Sequence, residues 1–184
     1  RARGVVPADG TLCVRTRAPQ VYPRVHAYEP VLVDALTAFD PDGRELQSIS
    51  LLDAFLESSY ASLLKSGPPS GDVFHTNTVE RLDGSLAGRV PAFAAGSFLL
   101  SMRELDALAV LDPRSRRITW ALTGQWHRQH QPTVVAPGRL LLLDNRGHQG
   151  RSKVIEIDPA TQEVTWSYLG NAENGFSTRT SGSV

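Results

Sequence analysis

Two segments decide the fold: "LAVLDPRSRRITWALTG" (Leu108 to Gly124) and "VIEIDPATQEVTWSYLG" (Val154 to Gly170). Each gives an alternating apolar strand, an Asp-Pro turn and a second alternating strand. Proline presets the backbone at the second turn position and the Asp side chain caps the turn, so Asp-Pro is turn chemistry. Trp120 and Trp166 occupy matching places in the second strands, and "LTAFDPDGRELQS" (Leu36 to Ser48) has the same order. Each segment therefore predicts a β-hairpin.

The repetition extends upstream of the two longer hairpins. "HTNTVERL" from His75 and "HQPTVVAP" from His130 share a histidine, two variable residues and Thr-Val, and "FLLSMRE" and "RLLLLDN" follow as second strands. Four antiparallel strands in about 45 residues is the signature of a β-propeller blade. We therefore predict an all-β fold: a partial propeller of about three blades, forming a single incomplete domain over residues 1–184. Its complete blades should span about 72–124 and 125–170.

One segment lacks the strand pattern. "SLLDAFLESSYASLLK" (Ser50 to Lys65) places its apolar residues at near-helical spacing, with Ser50 and Asp53 spaced as in a capping box. It predicts one short inserted helix over about 50–65. Asp83 to Ser97, rich in Gly and Ala, reads as a loop insertion in the earlier blade.

Composition limits the partners. With 184 residues, 41% hydrophobic and 21% charged, the chain has the composition of a folded domain. Nineteen basic residues balance nineteen acidic ones, which favours a small-molecule partner over nucleic acid. No apolar run is long enough for a membrane span. The single cysteine, Cys13, excludes a disulfide within the chain and a thiolate zinc site.

The two ends suggest a larger protein. The chain starts without methionine, "RARGVVPADG" is not a signal peptide, and the last residues, "TRTSGSV", read as the beginning of a strand. We expect the chain to be a fragment of a longer protein.

Two histidines are candidates for a site. The innermost strand of each blade lines the central channel, so equivalent positions in successive blades face the same axis. His75 and His130 are expected to be equivalent and to converge on one mouth of that channel. Arg103 and Asn145, each ending a second strand, are expected to be equivalent too, and Asn77 shares the strand face of His75. The alternative for either histidine is a hydrogen-bonded filler between blades.

The other candidate residues favour structural roles. His127, three residues before His130, should face the opposite side of a strand, and His26 and His148 lie in irregular or Gly-rich segments. No metal site is predicted, because no carboxylate or thiol is close in sequence to the His-x-x-His pair. The two repeated tryptophans are expected to pack between blades.

The ordered motifs "DVFHTNTVERL", "FLLSMREL", "LAVLDPRSRRITWALTG", "QHQPTVV", "LLLLDNRG" and "VIEIDPATQEVTWSYLG" resemble the arylsulfotransferase family (arylsulfate sulfotransferase), over roughly residues 31 to 184. The resemblance implies a six-bladed propeller, commonly exported to the periplasm or beyond. It also implies transfer of a sulfuryl group from one phenol to another through a sulfohistidine, with no nucleotide donor and no cofactor.

Matched motif by motif, the resemblance places the family's Gln-His histidine on His130 and its His-x-Asn signature on His75 and Asn77. The family's arginine falls on Arg103. Two positions depart from the family pattern: Gln131 stands where an acidic residue is common, and the run Arg151 to Lys153 stands where the family has a Ser-Arg pair.

The hypothesis is that neutral His130 attacks sulfur while Arg103 and His75 hold the sulfuryl oxygens, with Asn77 and Asn145 as substrate-binding residues. The partners would then be an aryl sulfate and a phenol. The alternative is a non-catalytic propeller that binds a small ligand, glycan or protein at the channel mouth. A quinone-cofactor dehydrogenase is disfavoured, because such enzymes typically have calcium ligands and a cysteine pair.

Overall fold

Three antiparallel β-sheets dominate the computed structural model, which describes residues 10–124, 126–171, 175–179 and 182. The first sheet contains β1 (Leu12–Val21), β2 (Pro30–Phe39) and β3 (Glu45–Ser50). The second contains β4 (Thr76–Arg81), β5 (Phe98–Met102), β6 (Ala107–Asp112) and β7 (Arg117–Thr123). The third contains β8 (His130–Val135), β9 (Arg139–His148), β10 (Arg151–Asp158) and β11 (Glu163–Tyr168). The all-β prediction is confirmed, and the three sheets do not close into a ring.

The three Asp-Pro turns form as predicted. Asp112 accepts hydrogen bonds from the backbone N–H groups of Arg114 (3.0 Å) and Ser115 (3.2 Å), and Asp158 accepts one from Ala160 (2.9 Å). These bonds cap the hairpins β6–β7 and β10–β11. Asp40 does the same for β2–β3.

The second sheet lies between the other two and packs on both. One of its faces, with Leu100 and Met102, shares a buried apolar cluster with the first sheet. The opposite face, with Leu99 and Val110, shares another with Leu142 of the third sheet. Burial of each such side chain stabilises the fold by about 1.5–3 kcal/mol. Strands β1, β4 and β8 are neighbours at one edge of the stacked sheets.

The inserted helix is shorter than predicted. Helix α1 runs over Leu51–Leu56, and Ser50 caps it by accepting the Asp53 N–H at 3.1 Å. Just beyond the helix, the Ser58 hydroxyl donates to the Phe55 carbonyl at 2.7 Å, a local bond that competes with continuation of the helix. A 3-10 helix over Ala61–Ser66 follows, so the predicted span of 50–65 is divided in two.

The insertion in the second sheet is more ordered than a simple loop. It contains a 3-10 turn over Pro91–Phe93, and the Phe93 ring packs edge-on against Trp120 with centroids 5.2 Å apart.

Among the described residues, no helix is long and apolar enough to cross a membrane.

The strand registers correct one sequence expectation. Cross-strand partners form rows across each sheet, and equivalent rows are found by counting back from the Asp-Pro turns. One row of the second sheet contains Thr78, Ser101, Leu108 and Leu122. The row at the same distance from the turn in the third sheet contains His130, Leu143, Val154 and Tyr168. His130 thus corresponds to Thr78, and the prediction that it is equivalent to His75 is wrong. The offset is already present at the regular ends of β4 and β8: Val79 pairs with Leu100 and Val134 with Leu140, and these rows lie two residues apart when counted from the turns. Arg103 and Asn145 do correspond by the same count, although β9 continues past Asn145 to His148.

Candidate functional site

His130 begins β8 and is held by its Nδ1 atom. Only 9% of the residue is exposed, and Nδ1 lies 2.7 Å from Oδ1 of Asn145 and 3.1 Å from the Arg128 carbonyl oxygen. The Asn145 amide is oriented by its own Nδ2, which donates to the Thr178 carbonyl at 3.1 Å. Both partners of Nδ1 are therefore acceptors, so Nδ1 carries the hydrogen and Nε2 carries the lone pair.

The surroundings of His130 favour the neutral ring. Burial lowers the pKa of His130 below its usual value, and the hydrogen bonds to Asn145 and Arg128 oppose that shift without cancelling it. The positive charges of Arg103 and His75 lower the pKa further. The charges of Arg103 and His75 thus act electrostatically on His130.

His75 lies just before β4 and is tied to Asp72. Its backbone N–H donates to Oδ1 of Asp72 at 2.8 Å, and its ring Nδ1 lies 2.6 Å from Oδ2. Burial alone would raise the pKa of Asp72, but the hydrogen bond from His75 and the charge of Arg17 outweigh burial and lower it. Asp72 is therefore an ionised partner for the His75 ring.

Arg103 follows β5 directly and is mostly buried. Its backbone N–H donates to the His75 carbonyl at 3.3 Å, and its Nη1 lies 3.2 Å from a Glu104 carboxylate oxygen. Glu104 also binds Arg128 through that oxygen, so one carboxylate is shared between two guanidinium groups. The Arg103 Nε is buried with no hydrogen-bond partner among the described residues. One carboxylate thus faces two guanidinium groups, and the charge of Arg103 also acts on His130.

Gln129 anchors the histidine segment to the second sheet. Its fully buried side-chain Nε2 donates to Ser101 Oγ (3.1 Å) and to the carbonyls of Met102 (3.2 Å) and Ala107 (2.9 Å). The Asn77 Nδ2 donates to the Gln129 carbonyl at 2.7 Å. The residue before His130 is therefore fixed from both its side chain and its backbone.

Sequence reasoning missed Asp72 and the anchoring role of Gln129. The available signal for Asp72 was its position three residues before His75, a spacing at which an Asp side chain can cap a following backbone N–H. Gln129 belongs to the Gln-His motif, but its anchoring role had no sequence signal, since its side-chain partners are mainly backbone carbonyls of another sheet.

The remaining histidines lie in other settings. The His127 side chain is 65% exposed and its Nδ1 is 2.8 Å from Oδ2 of Asp106. His26 closes a local turn by accepting the N–H groups of Tyr28 and Glu29. The side chain of His148 lies outside the described part of the chain. Within that part, no group of three or more His, Cys, Asp or Glu side chains could hold a metal ion.

No curated protein matches the chain. One similar solved structure is the crystal structure of a protein of unknown function from Bacteroides caccae, which is 14% identical with a TM-score of 0.48. The match covers 89% of this chain and 65% of that chain. The family model described as "Arylsulfotransferase (ASST)" matches residues 4–184, and the chain therefore belongs to the arylsulfotransferase family.

Proposed function

We propose that the protein moves a sulfuryl group from an aryl sulfate ester to a phenolic acceptor through a sulfohistidine on His130. The observation that carries this proposal is the buried imidazole whose Nδ1–H is held by Asn145, which leaves Nε2 as the nucleophilic nitrogen. Family membership supplies the reaction class. The sulfuryl donor is the aryl sulfate itself.

The reaction has two half-reactions on one nitrogen. First, Nε2 of His130 attacks the sulfur, an N–S bond forms, and the S–O bond to the aryl group breaks. The acceptor phenol oxygen then attacks the same sulfur, the N–S bond breaks, and the phenol proton is released. Each half-reaction returns the ring to a state ready for the other.

Cations beside His130 stabilise the charge that develops on the sulfuryl oxygens. Sulfuryl transfer resembles phosphoryl transfer, in which positioning and electrostatic stabilisation supply most of the catalysis. Arg103 suits this role because its planar fork matches two oxygens and its charge does not titrate. His75 supplies a second positive group when protonated.

The two asparagines have a different role in this proposal. Asn145 binds the His130 ring and the Thr178 carbonyl, while Asn77 binds the Gln129 carbonyl and accepts from the Thr78 hydroxyl at 3.2 Å. Their amide groups are thus occupied by the protein. We assign both to positioning His130, in place of the substrate binding expected from the sequence.

We also propose that the second and third sheets are propeller blades, over about residues 72–124 and 125–170 of one domain. The neighbouring inner strands β1, β4 and β8 support this arrangement. Trp120 is 6% exposed but Trp166, at the matching place on β11, is 50% exposed, as expected where another blade would pack. Export rests on the family alone.

The test compares His130→Ala with His127→Ala. His127 lies three residues away on an exposed turn, so its replacement is a matched control. After incubation with 4-nitrophenyl sulfate, mass spectrometry should find sulfated His130 in the wild type and the control only, and only these should transfer sulfate to added phenol. Undiminished turnover by His130→Ala would refute the proposal. Aryl sulfate binding with no turnover by the wild type would favour the non-catalytic alternative.

A further inference from the structure

We infer that Asp72 positions His75 as the proton donor to the departing aryl oxygen, and that Arg17 holds Asp72 in place for this task. The inference rests on the proposed function and adds to it a route for the proton. Asp72 is a positioning residue here, since it acts through the His75 ring.

The Asp72 carboxylate fixes both the backbone and the ring of His75. Its Oδ1 accepts the His75 backbone N–H at 2.8 Å, and His75 has a φ of 46°, in the left-handed region that non-glycine residues rarely adopt. Its Oδ2 accepts the ring Nδ1–H at 2.6 Å. With Nδ1 held in this way, Nε2 is the nitrogen available to substrate, and 40% of the His75 side chain is exposed.

Arg17 connects Asp72 to the first sheet. Its Nη1 donates to Oδ2 of Asp72 at 3.0 Å, and its Nε donates to Asp34 at 2.6 Å. Asp34 is fully buried and also accepts the backbone N–H of Thr76 at 2.9 Å. The segment that carries His75 is therefore braced from two sides by one ion-pair chain.

The proton balance then closes over the two half-reactions. As the S–O bond breaks, the protonated His75 gives its Nε2 proton to the aryl oxygen, so that a phenol leaves and His75 becomes neutral. In the second half-reaction, Nε2 of His75 takes the proton of the acceptor phenol as its oxygen attacks sulfur. The Nδ1–H stays on the ring throughout, held by the Asp72 carboxylate. General acid catalysis of this kind contributes about 10²–10⁴-fold.

The test uses Asp72→Asn and two aryl sulfates whose leaving groups differ in basicity. Nitrophenolate leaves without a proton, whereas the phenolate of phenyl sulfate needs one. Asp72→Asn should therefore slow single-turnover sulfation of His130 by phenyl sulfate at least about tenfold more than sulfation by 4-nitrophenyl sulfate. Asp42→Asn, in the exposed turn after β2, should change neither rate. Equal slowing with both substrates would show a merely structural role and overturn the inference.

Two further measurements keep the inference separate from folding and from the proposed function. His75→Gln removes the proton donor without altering Asp72, and it must show the same dependence on the leaving group; equal slowing there also overturns the inference. If the wild type transfers sulfate from neither substrate, the proposed function fails. The NMR signal of the His75 Nδ1 proton then tests the positioning alone: it should be lost in Asp72→Asn and kept in Asp42→Asn, and its retention in Asp72→Asn would refute that role.

Discussion

Asn145→Asp should move the acid limb of the pH–rate profile to higher pH. The substitution is nearly isosteric and places a carboxylate 2.7 Å from Nδ1 of His130. In the wild type, burial and nearby positive charge lower the pKa of His130, so the neutral ring persists into mildly acidic solution. A negative partner stabilises the imidazolium and raises that pKa. The fraction of neutral His130 available for attack is then lost at a higher pH.

The size of the shift follows from Coulomb's law. Two unit charges about 4 Å apart interact by about 4 kcal/mol at an effective dielectric constant of 20. At about 1.36 kcal/mol for each pKa unit, this interaction corresponds to an upper limit of about three units. Asn145 is fully buried, so the cost of desolvating the new carboxylate reduces the effect. We expect the pKa of His130 to rise by about one to three units.

The assay measures kcat/KM for 4-nitrophenyl sulfate from about pH 5 to about pH 9, which covers the range in which histidine titrates. Gln162→Glu adds the same charge in the exposed turn after β10 and should leave the limb in place. An unchanged limb in Asn145→Asp, with His130 still sulfated, would refute the assignment of Asn145 as the partner of the nucleophile. A shift toward lower pH would refute the electrostatic argument itself.

Two pairs of substitutions test how hydrogen bonding and burial stabilise the fold. Gln129→Ala leaves two buried backbone carbonyls without their donor and should cost about 2–3 kcal/mol in the free energy of unfolding measured with urea, whereas the exposed Gln20→Ala should cost little. Trp120→Ala should cost about 3–5 kcal/mol because the ring is 6% exposed. Trp166→Ala should cost about 1 kcal/mol or less because half of its surface already faces solvent. Equal losses for the two tryptophans would contradict the packing described above.

The hairpins were predictable because their signals are local. An Asp-Pro turn with alternating strands on each side specifies its own geometry, and Asp112 and Asp158 cap their turns as expected. The length of α1 was less predictable. Apolar spacing continues through Leu63, but the Ser58 hydroxyl competes for a helix carbonyl and ends the helix early. This boundary depends on a side-chain hydrogen bond, about which the spacing of apolar residues carries no information.

The equivalence of His75 and His130 is the part of the sequence prediction that the strand registers contradict. Matching His75 to His130 assumed that the shared His-x-x-Thr-Val pattern keeps the same row in both sheets, yet Val79 and Val134 already lie two rows apart when counted from the turns. His75 instead comes near His130 because it lies three residues before the position that corresponds to His130, at the end of β4 that faces the same edge. The candidate site residues thus occupy positions at which the two repeats differ. A strict repeat would place identical groups in both sheets, whereas the proposed mechanism requires a nucleophile, a cation and a proton donor, which are different chemical groups.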